Sequence, residues 1–240
     1  ASNLPMLQEA NGVVVEKTDF EKVGSIILNN KLPELSDKRV RKALAYAVDY
    51  DWLIETITNG AGYATECAYL GHKTTGFSSA SSITHYNYDL EKAKELMAEA
   101  GYPNGEGFPV LKATITELRK NVVEVLQQCW GELGLTIEIN VVESSVVWDE
   151  IRNGNFSIGI VFNNCMVDST MYDSYFAEGS ASNFTGYNNP ELQALLAEAA
   201  KELDATKRQE LFDQIWTIIT DDVPSIWMYY EASKSEAKRS

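Results

Sequence analysis

The chain has 240 residues, of which 45% are apolar, enough to build the core of one large domain or two small ones. Its 20 basic and 35 acidic residues give a formal net charge of −15. Nucleic acids and anionic membranes bind basic surfaces, so this charge argues against both as partners. No apolar run reaches the roughly 18 residues of a membrane span. Residues 1–20 lack the features of a signal peptide, so we expect a cytoplasmic protein, a mature protein or a piece of a longer one.

The cysteines and histidines do not indicate a catalytic or metal centre. Cys67, Cys129 and Cys165 are odd in number and widely spaced, which argues against a disulfide framework and against metal-ligand spacing. We expect Cys129 to be a buried small apolar residue. His72 and His85 lie outside any metal-binding pattern, and no nucleophile elbow or phosphate loop is present. The sequence therefore predicts no enzyme activity and no cofactor.

The first predicted elements are a buried strand from Gly24 to Leu28 and two consecutive helices. Ser36 is an expected N-cap of the first helix, and Asp49 can end that helix and cap the second. Asn59, which precedes a glycine, stops the second helix. The following segment, 60–88, is rich in Gly, Ser, Thr and Tyr and is predicted to be a long irregular loop.

The next predicted elements are a helix and a βαβ unit. Asp89 caps the helix, and Gly101 lies just beyond its end. A strand from Val110 to Thr116 precedes a helix with apolar residues at helical spacing over 118–133, and apolar alternation over 135–141 indicates a second strand. A right-handed crossover would make the two strands parallel.

The last part of the chain is predicted to alternate helices and strands. Helices are predicted around Trp148, from Asn189 and from Asp204. Strands are predicted over Ser157–Phe162 and Val223–Tyr230. Large apolar residues on the two later helices, Leu203 among them, are expected inside, since burying each contributes ~1.5–3 kcal/mol.

Several of these segments resemble one family. Residues 37–49, DKRVRKALAYAVD, follow the family phrase D-x-R-V-R-x-A-L-x-x-A-I-D except at Val48, and a strand ending in Asn29 precedes them. Further family phrases match residues 88–102, 133–139 and 224–229. The chain thus resembles the family 5 extracellular solute-binding proteins, which are the oligopeptide, dipeptide and nickel receptors of ABC importers.

The resemblance implies an α/β fold, a periplasmic-binding-protein-like II lobe with a mixed central sheet flanked by helices. It covers residues 24–230, which we interpret as a single lobe, the second of a two-lobe receptor. Residues 1–23 would then be an N-terminal lead-in and 231–240 a C-terminal tail. An independent domain that borrowed the fold is the alternative.

A family member would be the solute-binding component of an ABC importer and would perform no chemistry. Its implied partners are a small solute such as an oligopeptide, the first lobe of the same protein and an ABC permease in the membrane, without nucleic acid. The implied location is extracytoplasmic, either periplasmic or as a cell-surface lipoprotein. The alternative is a ligand-sensing domain of a transcriptional regulator that carries the same lobe pair.

The resemblance places the candidate site in the loop after the Ser157–Phe162 strand, where the family has G-W-x-x-D-x-x-D-P. In the peptide receptors the first Asp of this pattern pairs with the amino terminus of the peptide. Cys165 falls at that position and Asp168 at the second Asp. A neutral thiol cannot offset a buried ammonium, so amino-terminus recognition as in those receptors would require Asp168 or Asp173 as a substitute.

Most of the predicted solute-binding residues lie in this loop or at the end of the strand before it. Asn183 belongs to a further family phrase, N-x-x-x-Y-x-N-P, and Trp148 is predicted as an aromatic surface for the solute. The predicted set is Phe162, Asn163, Asn164, Cys165, Asp168, Tyr172, Asn183 and Trp148. Structural alternatives are open for several of them: a loop or cap role for Asp168, packing for Cys165 and for the two aromatic residues, and a turn bond for Asn183. For Arg39 and Arg41 we expect a structural or surface role, with ion pairs to nearby carboxylates.

Overall fold

A computed structural model describes residues 13–16, 20–60, 62–65, 68–71, 74–164, 168–169, 173–232 and 236–239. The strands are β1 Val13–Glu16, β2 Phe20–Leu28, β3 Tyr63–Ala64, β4 Leu111–Ile115, β5 Ile137–Val141, β6 Ile158–Asn164, β7 Ser225–Ala232 and β8 Glu236–Arg239. The helices are α1 Pro33–Ser36, α2 Lys38–Tyr46, α3 Tyr50–Thr58, α4 Leu90–Glu99, α5 Lys120–Gly131, α6 Ser144–Asn153, α7 Asp173–Phe176, α8 Pro190–Ala199 and α9 Ala205–Asp222. None of the helices in these ranges has the length and apolar character needed to cross a membrane.

Six strands form a mixed sheet in the order β3-β7-β2-β6-β4-β5, and β1 pairs separately with β8. Strand β2 is antiparallel to β6 and β7, whereas β4 is parallel to β5 and β6. Helices flank this sheet, so the predicted α/β class is confirmed. The βαβ unit predicted over 110–142 is also confirmed, with β4 and β5 parallel around α5.

The strand directions place several strand ends together. Asn164, near the end of β6, lies opposite Lys22, which also pairs with Glu231 near the end of β7. Ile115, the last residue of β4, lies beside Val141, the last residue of β5. The carboxyl ends of β4, β5, β6 and β7 therefore share one side of the sheet with the start of β2. We call this side the carboxyl edge.

Both faces of the sheet are covered. Helices α2 to α5 pack on one face, and α6, α8 and α9 pack on the other. Trp130 of α5 and Trp216 of α9, each at most 1% exposed, are among the largest core side chains. The Trp130 Nε1–H donates to the Leu44 carbonyl over 3.0 Å, so this large residue is buried without losing its hydrogen bond. Cys129 is buried, as predicted.

Helix starts follow the predicted capping chemistry with one correction. Asp49, Asp89, Asn189 and Asp204 accept bonds from backbone N–H groups of the helices that follow them. Ser36 was expected to cap α2, but it is the last residue of the short helix α1. The cap is instead Asp37, whose carboxylate accepts from the Arg39 N–H over 2.8 Å.

Strand boundaries differ from the sequence prediction by a few residues. Strand β2 begins at Phe20 rather than Gly24, and β7 ends at Ala232 rather than Tyr230. Strand β6 ends at Asn164 rather than Phe162. Pairing with neighbouring strands extends each of them past the apolar residues that signalled it, because ladder hydrogen bonds do not depend on side-chain polarity.

Two leucines predicted to lie inside are exposed. Leu118, 78% exposed, lies in a 3₁₀ turn, Glu117–Arg119, before α5, and Leu203, 97% exposed, lies between α8 and α9. Both fit the apolar spacing of a predicted helix, but Leu118 precedes the actual helix and Leu203 follows it. Outside the helix, the helical periodicity no longer determines which way a side chain points.

The two arginines of the 37–49 phrase differ in environment. Arg39 is exposed and pairs with Asp37, as expected. Arg41 does not pair with a carboxylate in this way: it is 4% exposed and donates to the backbone carbonyls of Leu35, Ser36, Asp222 and Val223. These carbonyls end α1 and α9, so Arg41 joins the ends of two helices.

Candidate functional site

The end of β6 presents consecutive residues to opposite faces of the sheet. Phe162 packs on the face covered by α2 to α5, whereas Asn163 lines a cavity on the other face, near α6. Asn164 is exposed at the end of the strand. Since side chains alternate along a strand, these three predicted residues share an edge but cannot form one surface. The sequence prediction treats Asn163 and Asn164 as loop residues, and the longer strand corrects this.

Arg119 lies over Phe162 at the carboxyl edge. Its guanidinium carbon is 3.7 Å from the centre of the Phe162 ring, which is a close cation–π contact. The Phe162 ring in turn meets Tyr229 edge-on at 5.7 Å. Gly24 leaves room for this ring, because a Cβ there would lie 2.8 Å from two of its atoms. The arrangement holds the guanidinium against the Phe162 ring, shortly after the end of β4.

The Arg119 guanidinium is available to a ligand. In the described part of the chain, its side-chain N–H groups have no hydrogen-bond or ion-pair partner, although the guanidinium feels the charge of Glu231. Burial lowers the pKa of Arg119, and the negative charge of Glu231 acts in the opposite direction, but an arginine stays protonated at neutral pH. A planar cation with several free donors matches a carboxylate or phosphate group in geometry and charge.

On the opposite face, aromatic side chains surround a small cavity of about 20 Å³. Trp148 and Asn163 both line it, so the structure brings these two predicted residues together. Trp148 lies 5.6 Å from Phe184 between ring centres, and Tyr69 stacks on Tyr175 at the same distance. The Asn163 amide has no hydrogen-bond partner among the described residues, which leaves its donors and acceptor free.

Asp168 is held by groups outside its own loop. Its carboxylate pairs with Arg208 of α9 at 3.2 Å, and its backbone forms a parallel bridge with Thr75. Asp173, at the start of α7, lies close enough to respond to both charges. Burial, and then the charge of Asp168, raises the pKa of the Asp173 carboxyl to about 6, while Arg208 acts in the opposite direction. Of the two acids considered as substitutes for the lost family Asp, Asp168 thus pairs with Arg208, and Asp173 only feels its charge.

The Asn183 side chain is used within its own segment. Its amide donates to the Tyr187 carbonyl over 2.9 Å and its oxygen accepts from the Thr185 hydroxyl over 3.0 Å. Tyr187 is buried, and its hydroxyl donates to Asp222 over 2.6 Å. The first of these contacts is the turn bond given above as the structural alternative for Asn183.

Cys165 and Tyr172 lie outside the described residues. Arg119, Tyr69 and Tyr175 are neighbours of the predicted site that sequence reasoning did not select. A signal for Arg119 existed: the predicted βαβ unit makes β4 parallel to its neighbour, so residues just after it belong at the carboxyl edge. The two tyrosines come from the long irregular segment and the 173–176 helix, where the sequence gives no register.

A larger cavity lies elsewhere. It measures about 370 Å³ and is lined by Tyr50, Tyr86, Thr65 and the first residues of β7, among others. Because β7 starts at the end of the sheet opposite the carboxyl edge, this cavity is not part of the candidate site. Within the described ranges, no group of His, Cys, Asp and Glu residues is arranged to hold a metal ion.

Comparisons with known proteins agree on one family. The chain matches the family model of bacterial extracellular solute-binding proteins, family 5 Middle, over residues 1–188. It is 31% identical to heme-binding protein A of Haemophilus influenzae, over 85% of this chain and 38% of that protein. It is 25% identical to oligopeptide-binding protein AppA of Bacillus subtilis, over 84% of this chain and 40% of that protein. The chain therefore spans about 40% of the length of these relatives.

Solved structures show the same fold. The ABC transporter-associated periplasmic binding protein DppA of Helicobacter pylori, in complex with the peptide STSA, matches with a TM-score of 0.86 at 23% identity, over 96% of this chain and 45% of that one. The ABC transporter substrate binding protein CtaP of Listeria monocytogenes matches with a TM-score of 0.85 at 22% identity, over 96% and 48%. The fold is thus that of a periplasmic binding protein of type II. The chain belongs to the bacterial extracellular solute-binding proteins of family 5, which are binding proteins rather than enzymes.

Proposed function

We propose that this chain is the lobe of an ABC importer's solute-binding protein that supplies one wall of the solute cleft. The wall is the carboxyl edge, and the other wall belongs to the first lobe of the whole protein. Strands β2 and β7 lie side by side and reach this edge at Phe20 and Ala232. Two adjacent strands leading out of one edge are suited to carry a hinge about which two lobes close on a solute.

The unpaired Arg119 guanidinium is the observation that carries the proposal. An arginine held on an aromatic ring at the carboxyl edge, without a hydrogen-bond or ion-pair partner among the described residues, matches a ligand that brings its own negative group. We therefore propose a small solute with a carboxylate, such as an oligopeptide. Asn163 and Trp148 lie on the other face, beneath the same edge, and would provide a second, separate contact surface for the solute.

The proposal places the whole protein outside the cytoplasm, either in the periplasm or on the cell surface as a lipoprotein. There it would deliver the solute to an ABC permease. The family match and the ABC transporter proteins of the same fold support transport over the regulatory alternative.

The test uses the full-length parent protein and short alanine peptides, each as the free acid and as the carboxyl amide. Calorimetry on the wild type should show binding of the acids and at least tenfold weaker binding of the amides, about 1.4 kcal/mol. Arg119→Gln should remove this preference, because the charge-assisted bonds to the carboxylate are lost.

Arg152→Gln is the matched control, since Arg152 is an exposed arginine paired with Asp149 on α6. It should leave both affinities unchanged. Equal affinity of wild type and Arg119→Gln for the free acids would contradict the role of Arg119. Failure of the wild type to retain any peptide would contradict the peptide assignment.

A further inference from the structure

Asp168 and Ser169, which follow β6 in the sequence, contact the segment around residue 75. The Ser169 N–H donates to the Thr75 carbonyl over 2.9 Å, and Asp168 forms the parallel bridge with Thr75. Gly76, at a φ of +86°, permits this contact, because a Cβ there would lie 2.0 Å from the Ser169 hydroxyl oxygen. This short backbone junction ties the segment after β6 to the segment around residue 75.

Side chains of helix α9 form hydrogen bonds to both segments of this junction. Arg208 Nη2 is 3.2 Å from one oxygen of Asp168 and 3.4 Å from the other. The Gln209 amide, one residue along, donates to the Phe77 carbonyl over 3.0 Å. Helix α9 thus holds both partners of the junction.

The Arg208–Asp168 pair is better placed to contribute than a surface pair. Both side chains are 30% exposed. The exposed pair of Arg152 and Asp149 on α6 has side chains that are 60% and 69% exposed. The guanidinium of Arg208 also lies 5.3 Å from the ring centre of Phe212. Partial burial reduces screening by solvent and ions, so the pair can restrict the position of Asp168.

We propose that Arg208 is a positioning residue for solute binding. It holds Asp168, which follows β6 in the sequence, and so limits the movement of Asn163 and Asn164 at the carboxyl edge. Arg208 then acts through Asp168, and Asp168 is not itself the acid that contacts the solute. This inference rests on the proposed function, because it assigns the pair to the same cleft.

The first arm of the test needs no solute. Hydrogen exchange of the full-length protein should show at least about tenfold faster exchange of the Ser169 amide in Arg208→Gln and in Asp168→Asn, because opening of the junction becomes easier. The exchange in Arg152→Gln should equal that of the wild type. Thermal unfolding of each variant shows whether the lobe is folded. If Arg208→Gln does not fold, Asp168→Asn, which is close to isosteric with the wild type, provides the test instead.

The second arm uses the free-acid alanine peptides in calorimetry. Arg208→Gln and Asp168→Asn should each weaken binding by about tenfold, and the double variant should be no weaker than either single one, as expected for two residues that act as one unit. Arg208→Lys should recover part of the affinity, since it restores the charge.

Two results would overturn the positioning role. One is a loss of affinity in Asp168→Asn with none in Arg208→Gln, which would make Asp168 a direct solute contact. The other is unchanged Ser169 exchange in Arg208→Gln. A wild type that binds no peptide while Ser169 exchange still responds to the variants would contradict the proposed function and, with it, the solute-binding role of the pair. The exchange arm would then still establish the junction.

Discussion

Folding raises the pKa of the Asp173 carboxyl group from its ordinary 3.8 to about 6, chiefly by burial and then by the charge of Asp168. The native state therefore holds this proton over a pH range in which the unfolded chain has released it. As a consequence, the free energy of unfolding falls as the pH rises through this range, and the cost of the buried charge is complete above pH 6. The positive charge of Arg208 reduces this cost, but the same guanidinium also forms an ion pair with Asp168.

Replacing Asp173 by Asn should remove this pH dependence. We expect Asp173→Asn to be more stable than the wild type at neutral pH by on the order of 1 kcal/mol, and equal to it near pH 4. Urea unfolding at several pH values measures the difference. Asp149→Asn, an exposed acid on α6, is the control and should leave the pH profile parallel to that of the wild type. A parallel profile for Asp173→Asn would show that its carboxyl is not perturbed by folding.

At the scale of elements, the ends of α1 and α9 are held by a side chain from a third helix. Arg41 of α2 donates to carbonyl groups at both ends, and the pKa of Arg41 is lowered by burial, with Asp222 acting in the opposite direction. Val223, the first residue after α9, has a φ of +49°, an unfavourable conformation for a β-branched residue. Its carbonyl is one of the groups that Arg41 binds.

Arg41→Met should therefore lower the free energy of unfolding by about 3 kcal/mol, because several buried carbonyl groups lose their donor. The neighbouring Arg39→Met is the matched control. Arg39 is exposed and pairs with Asp37 at the surface, so its replacement should change stability little. Denaturant unfolding of the two variants measures both values. Similar losses for the two arginines would contradict the role of Arg41 at the helix ends.

At the scale of the whole molecule, the carboxyl edge is open to its surroundings. It carries Arg119, Asn164 and exposed apolar residues such as Val141 and Leu118. A solute on this edge alone would have one wall, and the lost contacts and the exposed apolar area would both weaken binding. The proposed two-lobe protein would bury the solute between this edge and the other lobe.

We therefore expect the isolated lobe to bind solute at least about a hundredfold more weakly than the full-length protein, roughly 2.7 kcal/mol. Native mass spectrometry of the full-length protein, purified without added ligand, would identify a solute that remains bound. Calorimetry with that solute then compares the two forms. Micromolar binding by the lobe alone would show that the second wall is not needed. A non-peptide mass would direct the search to another class of carboxylate.

The sequence by itself determined the main elements and their order. Apolar periodicity, capping residues and the glycines after helices act over a few neighbouring residues, so Asp49, Asp89 and Asp204 could be placed as caps without a fold. The family phrases likewise lie in short contiguous segments. Where the periodicity passed the end of an element, as at Leu118 and Leu203, local reasoning failed because no local signal marks that end.

Only the tertiary structure decided which side chains meet at the candidate site. Arg119 and Phe162 are distant in sequence, and their contact depends on β4 and β6 being neighbours in the sheet. The pairing of Asp168 with Arg208 similarly requires α9 to pack beside the return from β6. Such contacts join residues that are far apart in the sequence, and the sequence separation does not tell how far apart they are in space. The sheet order and the strand directions supply that information, and they are fixed by the burial of both faces at once.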